Sequence, residues 1–278
     1  NPTLIITSLW KSYAVCNLIR LFNKRVPIIP IIHNSKFFHA FDKYFTRKVV
    51  NQAPIVLCDS NSSKEFILSE CSFLNAQVVS FKIDQDEAIS NTQNFNNLDL
   101  VRAVFIGRLS GFKRVDRALA LIKLLIEKGV NIQFDVYGPD HNTQNNLMQL
   151  AKTLNIKVMF NGAIPPDEVV NKLVNYHFFI QLSDVEGMAI TVVQAMQQGV
   201  IPIVTKVGEM QYYVKNMDNG IVVSPPFDDL ETTANAIVDL LKLPIKLQQM
   251  SEQAKVSFIN QPLYAHHMHQ LIKQQLGA

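Results

Sequence analysis

Short, apolar, β-branched runs alternate with longer helix-periodic stretches along almost the whole of this 278-residue chain, and few folds accept that rhythm. Leu4–Thr7, Ile28–Ile32, Ile55–Cys58 and Gln77–Phe81 read as strands, with helices over Tyr13–Phe22 and Phe38–Val50. A polar stretch rich in Asp, Asn, Gln and Ser follows, and the alternation then restarts. Strands are predicted at Ala103–Ile106, Gln133–Tyr137, Val158–Phe160, Phe178–Leu182, Ile201–Thr205 and Ile221–Val223. Helices are predicted at Arg117–Glu127, Gln144–Leu154, Asp167–Val174, Ile190–Gln197 and Asp228–Leu241, with a His- and Gln-rich helix closing the chain. Strands that are apolar throughout are covered on both faces, which implies an α/β fold with parallel sheets between helices. The expected division is a first domain over 1–83, a linker over 84–98, a second domain over 99–262, and a terminal helix over 263–278 that packs back on the first domain.

Composition removes several function classes. A formal net charge of +3 with 18% charged residues fits neither a charged disordered chain nor a nucleic-acid binder. Cys16, Cys58 and Cys71 are odd in number and form no CxxC pair, so reduced thiols in a cytoplasmic protein are expected. No apolar run approaches the ~20 residues needed to cross a bilayer. Helix 11–25 sets Lys11, Arg20, Lys24 and Arg25 beside Val15, Leu18, Ile19 and Phe22. Such a helix can rest on anionic lipid as a peripheral contact, but packing on its own sheet is the expectation. His266, His267 and His269 lack an acid or Cys ligand nearby, and no metal site is expected. Neither GxGxxG nor GxxxxGK[ST] occurs, which lowers the prospect of a nicotinamide, flavin or P-loop enzyme.

In open α/β sheets ligands sit beyond the carboxyl ends of the strands, near helix N-termini. The first strand after the linker ends in Gly107 and Arg108, with Lys113 five residues further on. Gly107 allows a sharp exit from the strand. A guanidinium fork and an ammonium point charge in this position suit a diphosphate. Taken alone they could equally be surface cations on a solvated loop. Strand Phe178–Leu182 runs into Ser183–Ala189, where Glu186 stands at a strand end and Gly187 opens a helix whose positive end can hold phosphate oxygens. A carboxylate repels phosphate, so Glu186 suits the hydroxyls of a polyol such as a sugar.

Three stretches, GRLSGFKRVDRAL (107–119), EGMAITVVQAMQQGVIPIVTKVGEMQYYV (186–214) and NGIVV (219–223), together with VYG (136–138) and VMFNGAI (158–164), resemble glycosyltransferase family 4, the glycosyl transferases group 1. The resemblance implies a GT-B fold of two Rossmann-like domains and a nucleoside diphosphate sugar, UDP- or GDP-linked, as donor substrate with no cofactor or metal. It implies that Arg108 and Lys113 bind the diphosphate and that Glu186, the first acid of the family's E-x7-E motif, holds sugar hydroxyls. Gly187, Met188, Ala189 and Ile190 match the loop whose amides face the sugar and distal phosphate, and Ile164 falls where the family packs the base. Two departures stand out. Gln194 replaces the second motif acid, which grips the ribose, and Ala189 replaces a glycine.

Before the linker, PIIPIIH (27–33) resembles the family strand ending in a histidine that faces the donor sugar, here His33. Ile55–Ser60 with Ser63 and Lys64 resembles a family segment that opens a helix. A complete family member is expected to begin well upstream, so the first domain reads as incomplete, with an apolar edge that a partner or a second copy would cover. The function implied is a retaining hexosyltransferase acting on a glycan or lipid-linked acceptor in envelope polysaccharide or lipopolysaccharide synthesis. A non-catalytic subunit that binds a partner or nucleotide without turnover is the second reading. Another nucleotide-sugar enzyme, such as a 2-epimerase, is the third.

Overall fold

The structure, a computed structural model, describes residues 3–72, 75–79, 82, 95–96, 98–227 and 229–276. The chain divides into two compact units, Asn1–Asp84 with Gln261–Ala278, and Gln85–Asn260.

The first unit opens with β1 (Ile5–Ser8), α1 (Trp10–Phe22), β2 (Ile28–Ile32), α2 (Ala40–Val50), β3 (Val56–Cys58), α3 (Asn61–Glu70) and β4 (Ala76–Val78). Its four strands among the described residues lie in the order β1-β2-β3-β4, and every pair is parallel. Ile28, Val56 and Cys58 pack on one side with Tyr13, Cys16, Val49 and Ile67 from the helices. Ile29, Ile55 and Leu57 point the other way, the alternation that a strand imposes. There they meet Leu271 of the chain's last helix.

The basic helix α1 departs from expectation. It buries Tyr13, Cys16 and Asn17, while Val15, Leu18 and Phe22 remain exposed, Phe22 at 90%. Its predicted apolar side is therefore not the side that packs. The predicted strand Gln77–Phe81 is shorter than expected, and Phe81 lies outside the described residues.

The second unit contains β5 (Val101–Ile106), α4 (Val115–Glu127), β6 (Ile132–Tyr137), α5 (Gln144–Thr153), β7 (Val158–Phe160), α6 (Val169–Leu173), β8 (Phe178–Gln181), α7 (Ile190–Gln197), β9 (Ile201–Thr205), α8 (Met210–Tyr213), β10 (Ile221–Val223), α9 (Glu231–Leu241) and α10 (Pro244–Val256). The last helix, α11 (Tyr264–Leu276), returns to the first unit, where the Tyr264 amide donates to the Lys82 carbonyl at 2.9 Å. Among the described residues the second unit's parallel sheet has six strands and runs β10-β9-β8-β5-β6-β7. From β5 the chain winds outward through β6 and β7, then returns to β8 beside β5 and winds the other way. The seam between β5 and β8 is thus a switch point, the place where open sheets hold ligands. One large core lies under α4, α5 and α9, and a second under α6, α7 and α8. Most of the expected linker is outside the described residues. Phe95 within it is 2% exposed and belongs to the second unit's core.

Candidate functional site

At the carboxyl end of β5 the backbone meets that of β6. The Gly107 amide donates to the Tyr137 carbonyl at 2.9 Å, and the Leu109 amide to Pro139 at 2.9 Å. The residue this approach requires is Gly138 rather than Gly107. Gly138 has φ +146°, and a Cβ there would stand 1.8 Å from the Gly107 carbonyl oxygen. A Cβ on Gly107 would meet only the Phe105 ring, at 3.1 Å.

The two cations of this loop have different surroundings. Arg108 is exposed, and its side chain makes no hydrogen bond or ion pair with any described residue. Lys113 closes a short 3-10 turn, Gly111–Lys113, and its ammonium lies 2.6 and 2.8 Å from the two carboxylate oxygens of Glu186. Glu186 is nearly enclosed, with 6% of its side chain exposed. Its Oε1 also accepts from Gln181 Nε2 at 2.7 Å and Ser183 Oγ at 2.5 Å. Among the described residues Oε2 accepts from Lys113 alone, and it retains capacity for a further donor. Residues predicted as separate phosphate and sugar ligands are thus joined across the β5–β8 seam.

The loop between them is fixed by charges that the motifs leave unassigned. Arg117, buried on α4, donates to Asp184 at 2.6 Å and to the Leu182 carbonyl at 3.1 Å. Arg114, in the left-handed region at φ 46°, forks onto Asp116 at 3.0 and 2.9 Å and reaches Asp184 at 3.3 Å. The Asp184 amide donates to the Phe112 carbonyl at 2.9 Å. The signal is present in the RVDR tetrad of 114–117, an i,i+3 arginine pair around an acid, though nothing in it says which carboxylate the buried arginine meets.

Gly187, Met188, Ala189 and Ile190 form the entrance to α7. The amides of Gly187, Met188, Ala189, Ile190 and Thr191 donate to no described residue. The loop's carbonyls, by contrast, are occupied. Gly187 accepts from the Glu209 amide at 3.0 Å, and the buried Tyr213 hydroxyl donates to Met188 at 3.0 Å. Burial, with Glu186 and Glu209 nearby, pushes the Tyr213 phenol well up, so it remains a donor. With acceptors satisfied and donors unpaired, the loop presents positive potential. Gly208 permits the close approach, since a Cβ at its φ of +55° would lie 2.2 Å from the Glu186 carbonyl oxygen. Ala189 holds φ 53° and ψ 57°, a left-handed conformation that costs a residue with a Cβ about 1–2 kcal/mol.

Ile164, partly buried, packs on the same cluster as Met188 and Ala189. Gln194 sits half-buried on α7, and its amide has no partner among the described residues. No group of three His, Cys, Asp or Glu is arranged to hold a metal among the described residues. The sequence does contain one Asp-x-Asp triplet, Asp84-Gln85-Asp86, the pattern of a divalent-metal clamp, against the expectation of no such site; it lies outside the described residues.

His33, at the end of β2, belongs to the first unit. Its Nδ1 stands 3.3 Å from Asp59 Oδ2 at the end of β3. Asp59 Oδ1 accepts from the hydroxyls of Ser60 and Ser63, both at 2.9 Å. Those serines also form the capping box that starts α3. The motifs do not reveal Asp59 as a partner of His33, because nothing in the sequence tells that adjacent strands end at the same level. A cleft beside His33 is lined by Tyr13, Asn34, Lys36, Phe37 and Phe66.

Residues 86–257 match the family model described as glycosyl transferases group 1, and the chain belongs to that family. A phosphatidylinositol N-acetylglucosaminyltransferase subunit of Arabidopsis thaliana is 25% identical over 188 residues, 66% of this chain and 42% of that protein. The chain therefore spans less than half the length of this relative. Among solved structures, Anabaena HepE in complex with UDP superposes with a TM-score of 0.80 at 16% identity, over 99% of this chain and 79% of the other. WaaG, a glycosyltransferase involved in lipopolysaccharide biosynthesis, gives 0.74 at 15% identity, over 95% and 81%. These likenesses establish the α/β fold of GT-B type with two parallel sheets.

Proposed function

We propose that this chain carries the donor site of a retaining, metal-independent glycosyltransferase that moves a hexose from a UDP- or GDP-sugar to a hydroxyl of a glycan or lipid-linked acceptor. The observation that carries the reading is the run of amides from Gly187 to Thr191 at the entrance of α7, unpaired among the described residues, on the loop whose Glu186 pairs with Lys113. In this reading the distal phosphate of the donor lies against those amides. Negative charge grows there as the sugar departs, and donors already aimed at it stabilise the transition state more than the ground state. Arg108, which has no partner among the described residues, supplies the guanidinium fork. Lys113 spends two protons on Glu186 and has a third for a phosphate oxygen. Glu186 Oε2 accepts from a sugar hydroxyl, while Gln181 and Ser183 hold the carboxylate in place. Gln194 accepts one ribose hydrogen bond, and Ile164 packs the base. His33, whose ring Asp59 orients, is the candidate catalytic histidine of the first unit.

The named activities of the relatives support this chemistry, and WaaG's role supports assembly of envelope polysaccharide or lipopolysaccharide. The proposed location is the cytoplasm, at the inner face of the membrane. The experiment is transfer and hydrolysis of UDP- and GDP-sugars, with and without a chelator. Activity insensitive to the chelator and lowered ~100-fold by Arg108→Ala is the expected result. A chelator-sensitive activity would turn attention to Asp84 and Asp86.

Gln194 favours a second reading, in which the protein binds donor or partner without turnover. Nucleotide binding with neither hydrolysis nor transfer would select it.

A further inference from the structure

The first 58 residues hold eight Lys and Arg and a single acid, Asp42. Asp42 is buried, accepting from the Phe38 amide and the Thr46 hydroxyl. The basic charge of this segment is therefore not balanced locally on its outer surface. Half of it, Lys36, Lys43, Arg47 and Lys48, lies on or just before α2, which packs against α1 on one side. On the other side α2 meets α3 through Arg47 and Lys43, at 2.7 and 3.5 Å from Glu70. Val49 and Val50 anchor it to the core.

With its flanks and base engaged, the outward stripe of α2 remains open. That stripe is Phe41, Tyr44 and Lys48, at i, i+3 and i+7, with Phe41 67% and Tyr44 57% exposed. The preceding loop adds Phe38, 64% exposed, with Lys36 over its ring at 5.9 Å. Lys48 lies over the Tyr44 ring at 5.7 Å. Lys36 and Lys48 have no acidic partner among the described residues. Large rings exposed on a helix that is packed on its other sides are not explained by the fold, and lysines interleaved with them decide what can cover them. Two copies meeting through this face would oppose like charges. An anionic bilayer takes the rings at the level of its headgroups and the ammonium groups among its phosphates.

We propose that this α2 face docks the protein on an anionic lipid surface. The inference deepens the proposed function, and rests on it only in that a lipid-linked acceptor gives such docking a use. The test is flotation of the full chain with phosphatidylcholine vesicles, with and without phosphatidylserine. Binding confined to the anionic vesicles and weakened by salt is expected. Lys36→Ala with Lys48→Ala should weaken it roughly 30-fold, and Phe41→Ser with Tyr44→Ser should abolish it. Both variants should keep the wild-type melting temperature and nucleotide affinity, so the docking surface and the donor site can fail separately. Equal binding to neutral vesicles, or no effect of either double variant, would overturn the proposal. So would self-association that the Ser variant removes without any vesicle binding, which would make a second copy the occupant.

Discussion

Arg108 and Lys113 come from one motif, yet their substitution should have very unequal consequences for the protein without ligand. Lys113→Ala leaves the Glu186 carboxylate, 6% exposed, with Gln181 and Ser183 as donors and no counter-charge. Removing one partner of a fully buried pair costs about 3–5 kcal/mol. Lys113 is 19% exposed, which admits some water, so about 2–4 kcal/mol is a fair expectation. In a domain of this size each kcal/mol moves the midpoint by roughly 2–4 °C, so the melting temperature should fall by roughly 5–15 °C. Arg108→Ala removes an exposed side chain that has no partner among the described residues, and should change stability by no more than about 0.5 kcal/mol. Both variants should lose donor affinity. Thermal melts followed by circular dichroism separate the two effects, and Lys113→Ala combined with Glu186→Gln should recover most of the stability, since it removes the unpaired charge. If Lys113→Ala melted within a degree of Arg108→Ala, the Lys113–Glu186 pair would not stand as described, and the electrostatic reasoning for the loop would fail.

Ala189→Gly should stabilise the chain by about 0.5–1 kcal/mol, as relief of the left-handed strain outweighs glycine's extra entropy, and chemical denaturation would show it. Gln194→Glu restores a charged acceptor at the ribose position and should tighten nucleotide binding roughly 10-fold by calorimetry. His177 is held down to about 4, first by burial and then by Arg102, while its Nδ1 accepts the Arg102 amide at 2.9 Å. Between its unfolded value near 6.5 and about 4 the unfolded chain binds a proton that the native imidazole refuses, so stability is lost as pH falls through that window and no further below it. The loss is about 3 kcal/mol at most, and His177→Phe should flatten this part of the denaturation profile.

Where the hydrophobic pattern is strong, sequence and structure agree closely. Val158–Phe160, Ile190–Gln197, Ile201–Thr205 and Ile221–Val223 have the bounds expected from their apolar runs and flanking turns. Helix α10 escapes the pattern because its buried face is Leu247, Met250, Ser251 and Ala254. Two of those four are small residues that carry little hydropathy, and they are needed small. Ser251 donates to the Gly199 carbonyl at 2.6 Å, where α10 crosses the end of α7. Helix α8 has four residues, too few to show a period. Helix α4 begins at Val115 rather than Arg117 because Arg114 takes the left-handed conformation that separates it from the preceding turn. For the site, residue types and chain order are legible in the motifs. Pairing is not, since Lys113–Glu186, Arg117–Asp184 and His33–Asp59 each join residues that follow different strands, and only the sheet order brings them together.

Calorimetric titration with UDP and with GDP, repeated on Arg108→Ala, tests the central claim most directly. Micromolar binding of one nucleotide, weakened tenfold or more by the substitution (about 1.4 kcal/mol), is the predicted result. Absence of binding by both nucleotides, or affinity unchanged in Arg108→Ala, would contradict a diphosphate site at the β5–β8 seam.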